Sequence, residues 1–502
     1  MQNGTKTHKL TDYPEFIRKF VALLNPMADI SQIREGAPMS FGQQLKLTVM
    51  LSLPAMLAQL SSILMQYIDA SMVGRLGADD SAAIGLVSTS LWLFWGICSA
   101  VTTGFSVQAA HKVGAKDDAA ARNVLRQAIT ACLIFSFAVT AIGIVIAPPL
   151  PRWLGGNDDI TPQASLYFLV FVSALPLLTL NYLAGGMLRC VGNMKVPSAL
   201  NILMCVMDCL FNFLLIFPSH HLNLHGIDIT IPGAGLGVLG AALGTVLAEA
   251  VTAGLMLYYL CYRQPELRLR GRHGSYRPRK SIIRKAVTIS VPMTVEHAVI
   301  CGAQIAVTMI VAPLGVFSIA ANAFAVTAES LCYMPGYGIG DAATTLVGQS
   351  YGAGRRELVK RFGYITVGLG MVVMSVMGVL MWIAAPWIME LMTPVAEIQS
   401  LGVESLRIEA WAEPMFAASI VAYGVFVGVG HTTVPAIMNF GSIWAVRLPL
   451  AWILARSMGL KGVWIAMCAE LTFRGAIFLF RLLRGRWIPQ IGLRHDADTL
   501  EA

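Results

Sequence analysis

The sequence predicts an all-α polytopic membrane protein with twelve transmembrane helices in two six-helix lobes, related by a parallel internal repeat. Composition, a repeat at constant spacing and the distribution of basic residues support this prediction. Of the 502 residues, 56% are hydrophobic and only 13% are charged. Apolar stretches of about 20 residues, the length that crosses a bilayer as a helix, recur along the chain.

The chain begins with a predicted cytoplasmic tail, residues 1–40. Within it, residues 11–15 resemble a helix start, which predicts either a short amphipathic helix on the membrane surface or a partly ordered tail. The tail lacks the apolar core and cleavage site of a signal peptide, so we expect no cleaved leader. Twelve predicted spans follow, at residues 45–73, 81–108, 124–148, 164–188, 197–217, 236–262, 285–313, 317–345, 360–387, 403–427, 435–457 and 461–484.

Basic residues are distributed unequally between the two sets of connections. Those after even-numbered spans carry most of them, and nine lie between Arg263 and Lys285. The connections after odd-numbered spans carry only Arg75, Arg152, Arg456 and Lys461. Because lysine and arginine favour the cytoplasmic side, we expect both termini to be cytoplasmic. The net charge of +8 follows from these loops and does not indicate nucleic-acid binding.

These boundaries divide the chain into an N-lobe (41–262), a cytoplasmic linker (263–284), a C-lobe (285–485) and a cytoplasmic C-terminal tail (486–502). The two lobes repeat each other without gaps over most of their length. Residues that shape the backbone recur 238 positions apart, as in Pro54 and Pro292, Gly77 and Gly315, Gly114 and Gly352, Pro176 and Pro414, Gly192 and Gly430, and Pro197 and Pro435.

An even number of helices per lobe gives both lobes the same orientation, so an axis along the membrane normal should relate them. Two similar bundles around a cleft predict alternating access with binding sites near the midplane. The first half is longer by one external loop, residues 218–234. Its His220, His221 and His225 could bind a metal if the loop were helical, but we favour an ordinary loop and expect no metal site.

Buried acids mark candidate sites, because a charged side chain inside a span is costly. Asp69 lies near the end of the first span. Asp208 and Asn212 lie four residues apart in the fifth span, with Asn201 two turns earlier on roughly the same side. A carboxylate with amide oxygens on one helix face suits a dehydrated sodium ion or a titrating proton. We predict an ion-coupling role for these residues.

The C-lobe contains further acids. Glu296 and Glu413 lie at similar central depths, and together with Glu329 they are candidates for a substrate or second cation site, the alternative being helix–helix hydrogen bonding. Glu470 and Arg474, four residues apart, predict a structural ion pair. Acids exceed bases in the spans: Asp69, Asp208, Glu249, Glu296, Glu329, Glu413 and Glu470 against Arg447 and Arg474. This excess predicts an interior that attracts cations or holds protons.

Five fragments carry a resemblance to a known family: YIDASMVGRLG (67–77), GFSVQAAHKVGAKD (104–117), LRCVGNMKVPSALN (188–201), DAATTLVGQSYGAGRR (341–356) and GVGHTTVP (428–435). Taken together, the order, spacing and twofold repetition of these fragments resemble those of the multidrug and toxic compound extrusion (MATE) transporters. The resemblance covers nearly all of residues 40–485. The resemblance implies a V-shaped pair of six-helix lobes. It also implies export of cationic, amphipathic compounds against an inward flow of sodium ions or protons.

The resemblance also implies roles for individual residues. The family's acid in the first helix falls on Asp69. Its polar pair in the fifth helix, usually Asn followed four residues later by Asp, falls on Asp208 and Asn212 in reversed order. The sixth-helix threonine of some members falls near Thr245. In one branch, an acid in the seventh helix lies about a turn beyond Glu296, and the tenth-helix acid falls close to Phe416.

We therefore expect a sodium- or proton-coupled antiporter that exports cationic amphipathic drugs or metabolites. It would act as a monomer in the bilayer of a bacterial cytoplasmic membrane, with no cofactor, nucleic-acid partner or catalytic residue. The nearest alternative is a flippase of the same superfamily for lipid-linked saccharides, which twelve spans and an acidic interior disfavour. An enzyme would need a clustered catalytic motif such as HExxH, and a channel would need rings of charge.

Overall fold

A computed structural model describes residues 26–224, 227–271 and 274–489 of the chain. Ten of its helices, and two bent helix pairs, are long and apolar enough to cross a bilayer, which confirms the predicted all-α fold with twelve spans. The spans of the N-lobe are span 1 (Phe41–Gly74), span 2 (Ala78–Gly114), span 3 (Asp118–Ile146), span 4 (Thr161–Ser173 with Leu175–Cys190), span 5 (Lys195–Ile216) and span 6 (Val238–Tyr258).

The C-lobe consists of span 7 (Lys280–Val311), span 8 (Val316–Gly352), span 9 (Arg356–Met392), span 10 (Ala396–Glu409 with Glu413–Gly428), span 11 (Thr433–Gly441, Ser442–Arg447 and Leu448–Met458) and span 12 (Leu460–Arg484). Span 6 continues into a π-helical turn at Tyr259–Arg263, and span 11 contains one at Ser442–Arg447. Shorter helices are Pro26–Glu35, Leu150–Trp153 and the 3₁₀ turn Ala312–Leu314.

Spans 4 and 10, predicted at residues 164–188 and 403–427, are both bent; Pro414 had indicated a bend in span 10, whereas none was predicted in span 4. The bends are 47° in span 4 and 60° in span 10. Each second helix carries a proline at its second position, Pro176 or Pro414. Proline has no N–H for the preceding turn, and its ring disfavours helical geometry in the residue before it. Because these prolines are 238 positions apart, both lobes bend at the same place.

The extra loop of the N-lobe forms an antiparallel β-hairpin, with strand β1 at Pro218–Leu224 and strand β2 at Ile227–Ala234. The helical geometry that would have brought His221 and His225 onto one face is therefore wrong for this segment. His221 lies in β1, opposite Thr230, and His225 lies outside the described residues. Within the described ranges, no three His, Cys, Asp or Glu side chains group as metal ligands would.

The two faces of the molecule are named here by their connections. The basic face bears connections 115–117, 191–194, 264–279, 353–355 and 429–432, and the hairpin face is the opposite side, which carries β1 and β2.

The lobes meet at the basic face through two hydrogen bonds that the repeat duplicates. His111 Nε2 donates to the Gly428 carbonyl oxygen (2.7 Å), and Gln349 Nε2 donates to the Cys190 carbonyl oxygen (2.7 Å). His111 and Gln349 are 238 positions apart, as are Cys190 and Gly428. The two bonds are therefore equivalent under the predicted axis along the membrane normal: one joins the end of span 2 to span 10, and the other joins the end of span 8 to span 4.

Two glycines allow spans 2 and 8 to cross closely. A β-carbon on Gly114 would overlap the backbone of Gln349, and one on Gly352 would overlap the backbone of His111. Small residues at helix crossings let the backbones approach each other in membrane proteins. Gly114 and Gly352, which the sequence showed only as a duplicated glycine, are therefore explained by the close approach of the two helices.

The helix Pro26–Glu35 lies across this junction. Ile30 and Ile33 are fully buried in a cluster formed mainly by spans 1, 8, 9, 10 and 12. Arg34 hydrogen-bonds Gln349 (3.4 Å) in the C-lobe and the Val191 carbonyl (3.3 Å) in the N-lobe. The amphipathic helix expected near residues 11–15 lies outside the described residues.

Candidate ion and substrate sites

Asp69, Asp208 and Asn212, defined here as the N-lobe acid site, come together between spans 1 and 5. Asn212 Nδ2 donates to Asp69 Oδ1 (2.9 Å) and to Asp208 Oδ2 (3.1 Å). The two carboxyl groups also lie close enough to interact electrostatically with each other. The structure thus places side by side the three polar side chains that the sequence predicted for ion coupling.

Helix geometry and one glycine position this group. Asp208 and Asn212 lie one turn apart on the same face of span 5, which packs between spans 1 and 6. A β-carbon on Gly244 of span 6 would overlap Asn212 Oδ1, so glycine at this position gives the amide its room. Asp208 is completely buried and Asn212 nearly so.

Two oxygens of the N-lobe acid site have no partner among the described residues. They are Asp208 Oδ1 and Asn212 Oδ1, and both are buried. Buried polar atoms normally have a hydrogen-bond partner. A carboxylate oxygen and an amide oxygen that both lack one can accept a proton or coordinate a hard cation, which prefers oxygen ligands.

The remaining predicted ion-site residues lie towards the centre of the molecule. Thr245 reaches Asp208 with its side chain and also lines the central cavity. Its hydroxyl donates to the Ala241 carbonyl (3.3 Å). Asn201 lines the same cavity but makes no hydrogen bond with Asp69 or Asp208 in the described structure. Thr245 therefore connects the acid site to the cavity, whereas Asn201 belongs to the cavity wall.

The central cavity lies between the lobes and has a volume of about 550 Å³, within the range of sites for drug-sized ligands. Both lobes line it. Its wall is rich in aromatic and methionine side chains: Trp92, Trp95, Phe171, Tyr182, Tyr337, Phe416 and Tyr423, and Met65, Met204, Met256, Met293 and Met334. Such a surface adapts to varied apolar shapes and can stack on organic cations.

Each lobe adds one hydrogen-bonded carboxylate to the cavity wall. Glu249 of span 6 accepts from Asn181 Nδ2 of span 4 (2.5 Å). Glu296 of span 7 accepts from the Tyr423 hydroxyl and from the Asn439 amide. The two acids are thus held in fixed orientations at the cavity, where a cationic group could meet them.

The other predicted acids of the C-lobe lie away from this wall. Neither Glu329 nor Glu413 lines the central cavity. They form a buried group with Glu409, which interacts electrostatically with both. All four carboxylate oxygens of Glu409 and Glu413 are buried without a partner among the described residues. Glu409 was not among the predicted site residues, although it lies inside the predicted span 10 and four residues before Glu413.

Arg474 Nε and Glu470 Oε1 lie 3.0 Å apart, in the arrangement that the sequence predicted for a structural ion pair. Arg447 Nη2 also lies 2.6 Å from Glu470 Oε2, and the Ser442 hydroxyl donates to the same carboxylate. Ser442 and Arg447 begin and end the π-helical turn of span 11, a widened turn that is typical of functional or strained positions. One fully buried acid is therefore bound by two arginines.

Comparisons with known proteins agree with this architecture. The MatE family pattern matches residues 54–214 and again residues 292–453, one copy in each lobe. The chain is 26% identical over 446 residues to the "Probable multidrug resistance protein NorM" of Thermotoga maritima, covering 88% of this chain and 92% of the relative. It is 25% identical over 464 residues to the "Multidrug resistance protein NorM" of Burkholderia vietnamiensis, covering 89% and 95%.

Solved structures show the same fold. An outward-facing multidrug resistance MATE family transporter of the MOP superfamily superposes with a TM-score of 0.80 at 20% identity, over 93% of this chain and 97% of the other. A MOP superfamily transporter from Pyrococcus furiosus, described as having a binding pocket of reverse polarity and a different function, gives a TM-score of 0.81 at 20% identity, over 91% and 97%.

Proposed function

The chain belongs to the MatE family, and from this premise we propose that it exports amphipathic cations in exchange for an inward flow of sodium ions or protons. The observation that carries the proposal is the N-lobe acid site, in which the Asn212 amide bridges two carboxyl groups and one carboxylate oxygen and one amide oxygen have no hydrogen-bond partner among the described residues. The curated relatives named above are multidrug resistance proteins, which supports drugs or drug-like metabolites as cargo.

The acid site supplies the coupling. Two buried carboxylates that share one amide donor are destabilised when both are ionised, because like charges in a low-dielectric site repel strongly, and a proton or a cation relieves this repulsion. Binding of the coupling ion at Asp69 and Asp208 therefore draws spans 1 and 5 together. Thr245 transmits this change to the central cavity, since its side chain contacts both. Ion and cargo then compete through linked conformations.

The cavity supplies the cargo site. Glu249 and Glu296 attract the positive charge of the cargo, and the aromatic and methionine wall contacts its apolar part. Alternating access would involve the opening and closing of the hydrogen bonds that join the lobes at the basic face. Those of His111 and Gln349 close this face in the present conformation, and transport requires them to break and reform.

The basic face is the cytoplasmic one in this proposal, because connections rich in lysine and arginine remain in the cytoplasm. Both termini then lie inside a bacterial cytoplasmic membrane. The buried group of Glu329, Glu409 and Glu413 serves as a second cation site, since the three acids repel one another and the carboxylate oxygens of Glu409 and Glu413 have no hydrogen-bond partner among the described residues. One chain contains the acid site and the cavity, so a monomer suffices.

The test is efflux of ethidium from proteoliposomes containing the purified full-length protein. Sodium and proton gradients are imposed one at a time, with protein-free liposomes as the control. Efflux that accelerates under one gradient only supports the antiporter and identifies its ion. Absence of ethidium transport under both gradients contradicts the proposal, and translocation of a labelled lipid-linked saccharide would then be measured.

A further inference from the structure

A large groove opens on the outer surface of the C-lobe, separate from the central cavity. It has a volume of about 990 Å³ and lies between spans 9, 10 and 12. Most of its wall is apolar, but Glu404, Arg407 and Lys461 also line it. No residue of this groove is among those that line the central cavity.

The groove lies at the border of the hydrocarbon layer on the hairpin side. Span 9 has 37 residues and is about 55 Å long at 1.5 Å per residue, whereas the hydrocarbon layer is about 30 Å thick. A helix centred in this layer therefore leaves it about eight residues before each end. At the C-terminal end of span 9, this level is close to Trp382. Exposed Trp387 and Trp411 flank this level, as tryptophans do in the aromatic belt of membrane proteins.

The charges of the groove give it a net positive charge. Lys461 is neutralised by Glu404, with Nζ and Oε1 2.5 Å apart. Arg407 forms no ion pair with any described residue. Its guanidinium lies over the Trp382 ring, 4.8 Å from the centroid, and Nε donates to the Trp382 carbonyl (3.4 Å). Stacking holds the arginine at the groove while leaving its remaining N–H groups available.

We propose that this groove binds an anionic phospholipid of the leaflet on the hairpin side, with its phosphate on Arg407. The acyl chains would occupy the apolar part of the groove. A net charge of +1 from Arg407, Lys461 and Glu404 favours a headgroup of charge −1 over a zwitterionic one. Arginine suits the phosphate because its planar donors match phosphate oxygens.

The test compares lipid binding to the purified full-length protein by native mass spectrometry. The lipids are phosphatidylglycerol, phosphatidylethanolamine and phosphatidylcholine with identical acyl chains. Wild type should bind phosphatidylglycerol about fivefold more tightly than the other two, the effect of one basic residue near the membrane surface. Arg407→Gln should abolish the preference, and Arg407→Lys should retain much of it.

Two further variants keep the test specific. Arg456→Gln is the matched control, because Arg456 stacks on Trp452 in span 11, outside the groove, and should leave the preference unchanged. Glu404→Gln releases Lys461 and should increase the preference by about another fivefold. Equal binding of all three lipids, or a preference that survives Arg407→Gln, would overturn the proposal.

Two competitors separate the sources of the ligand. Millimolar inorganic phosphate should not displace phosphatidylglycerol, because the acyl chains supply most of the binding. Ethidium should not displace it either, since its proposed site is the central cavity. Displacement by phosphate would assign the groove to soluble anions, and displacement by ethidium would assign it to cargo. Either result would contradict a lipid site without affecting the proposed export function.

Discussion

In the N-lobe, Asp69 and Asp208 face each other across Asn212, and no described lysine or arginine forms an ion pair with either. In the C-lobe, Glu470 contacts both Arg447 and Arg474. One lobe thus concentrates negative charge at a pair of acids, and the other surrounds a single acid with positive charge. The first arrangement requires a cation or a proton, whereas the second is complete by itself.

The repeat explains why the two lobes can differ in this way. At the positions 238 residues after Asp69 and Asp208, the C-lobe carries Val307 and Val446. At the position 238 residues before Glu296, the N-lobe carries Ala58. The prolines and glycines that shape the backbone are duplicated, but these charges are not. The shared fold therefore repeats the same backbone features in both lobes, and differences at single positions place the acids asymmetrically.

The largest expected effect concerns the stability of the C-lobe. Glu470→Gln leaves Arg447 and Arg474 uncompensated inside the protein, and breaking such a buried pair costs about 3–5 kcal/mol. We expect a marked fall in the thermal unfolding temperature of the purified protein. Glu357→Gln removes a surface pair with Lys360 and should change little. An unchanged unfolding temperature for Glu470→Gln would show that the triad is not structural.

The next effect concerns transport through the N-lobe. Asp208→Asn and Asp69→Asn each remove a titratable or ion-binding oxygen, and gradient-driven ethidium efflux should fall about a hundredfold, as expected for loss of strong coupling. Asp158→Asn alters an exposed carboxylate that pairs with Arg152 and serves as the control. If either variant transports as well as wild type, that aspartate is not part of the coupling site.

A smaller effect is expected at the cavity. Glu296→Gln keeps the hydrogen-bonding shape beside Tyr423 and Asn439 but removes the charge that a cationic ligand would meet. Ethidium affinity, measured by fluorescence titration, should fall about tenfold, or 1.4 kcal/mol. A neutral dye of similar size should bind equally well to both proteins. An equal loss of affinity for both dyes would indicate a change of cavity shape.

The smallest effect is expected for the buried group in the C-lobe. Glu413→Gln replaces a carboxyl group that forms no well-aligned hydrogen bond among the described residues, and the amide that replaces it can keep the contact with the Cys332 thiol. We expect a stability change below about 1 kcal/mol, in contrast to Glu470→Gln. Its effect on efflux should therefore reflect cation binding and not folding. A strongly destabilised Glu413→Gln would show that Glu413 has a structural partner.

The sequence predicted the fold well because bilayer crossing and the repeat leave clear patterns. The duplicated residues Gly114 and Gly352 even marked the crossing of spans 2 and 8. The bends in spans 4 and 10 were harder to predict, since a proline near the start of a helix is compatible with a continuous or a broken span. The β-hairpin was missed, although the alternation of Ile227, Ile229 and Ile231 with polar residues in β2 is the period-2 pattern of a strand.

The sites were predictable only where the contact was local. Asp208 with Asn212, and Glu470 with Arg474, are each four residues apart and therefore adjacent on a helix. The contact between Asp69 and Asn212 joins residues 143 positions apart and depends on packing. Packing also decides that Asn201 lines the cavity and that Arg447 joins Glu470. Hydrophobic periodicity within one helix contains no information about these choices.

The most direct test of the central claim is competition between coupling ion and cargo at equilibrium. Ethidium binding to the detergent-purified protein is titrated at increasing sodium concentration, and separately at decreasing pH, for wild type and Asp208→Asn. We predict that one of these ions weakens ethidium binding to wild type and has no effect on the variant. If the variant keeps the full ion dependence, the N-lobe acid site is not where ion and cargo are coupled.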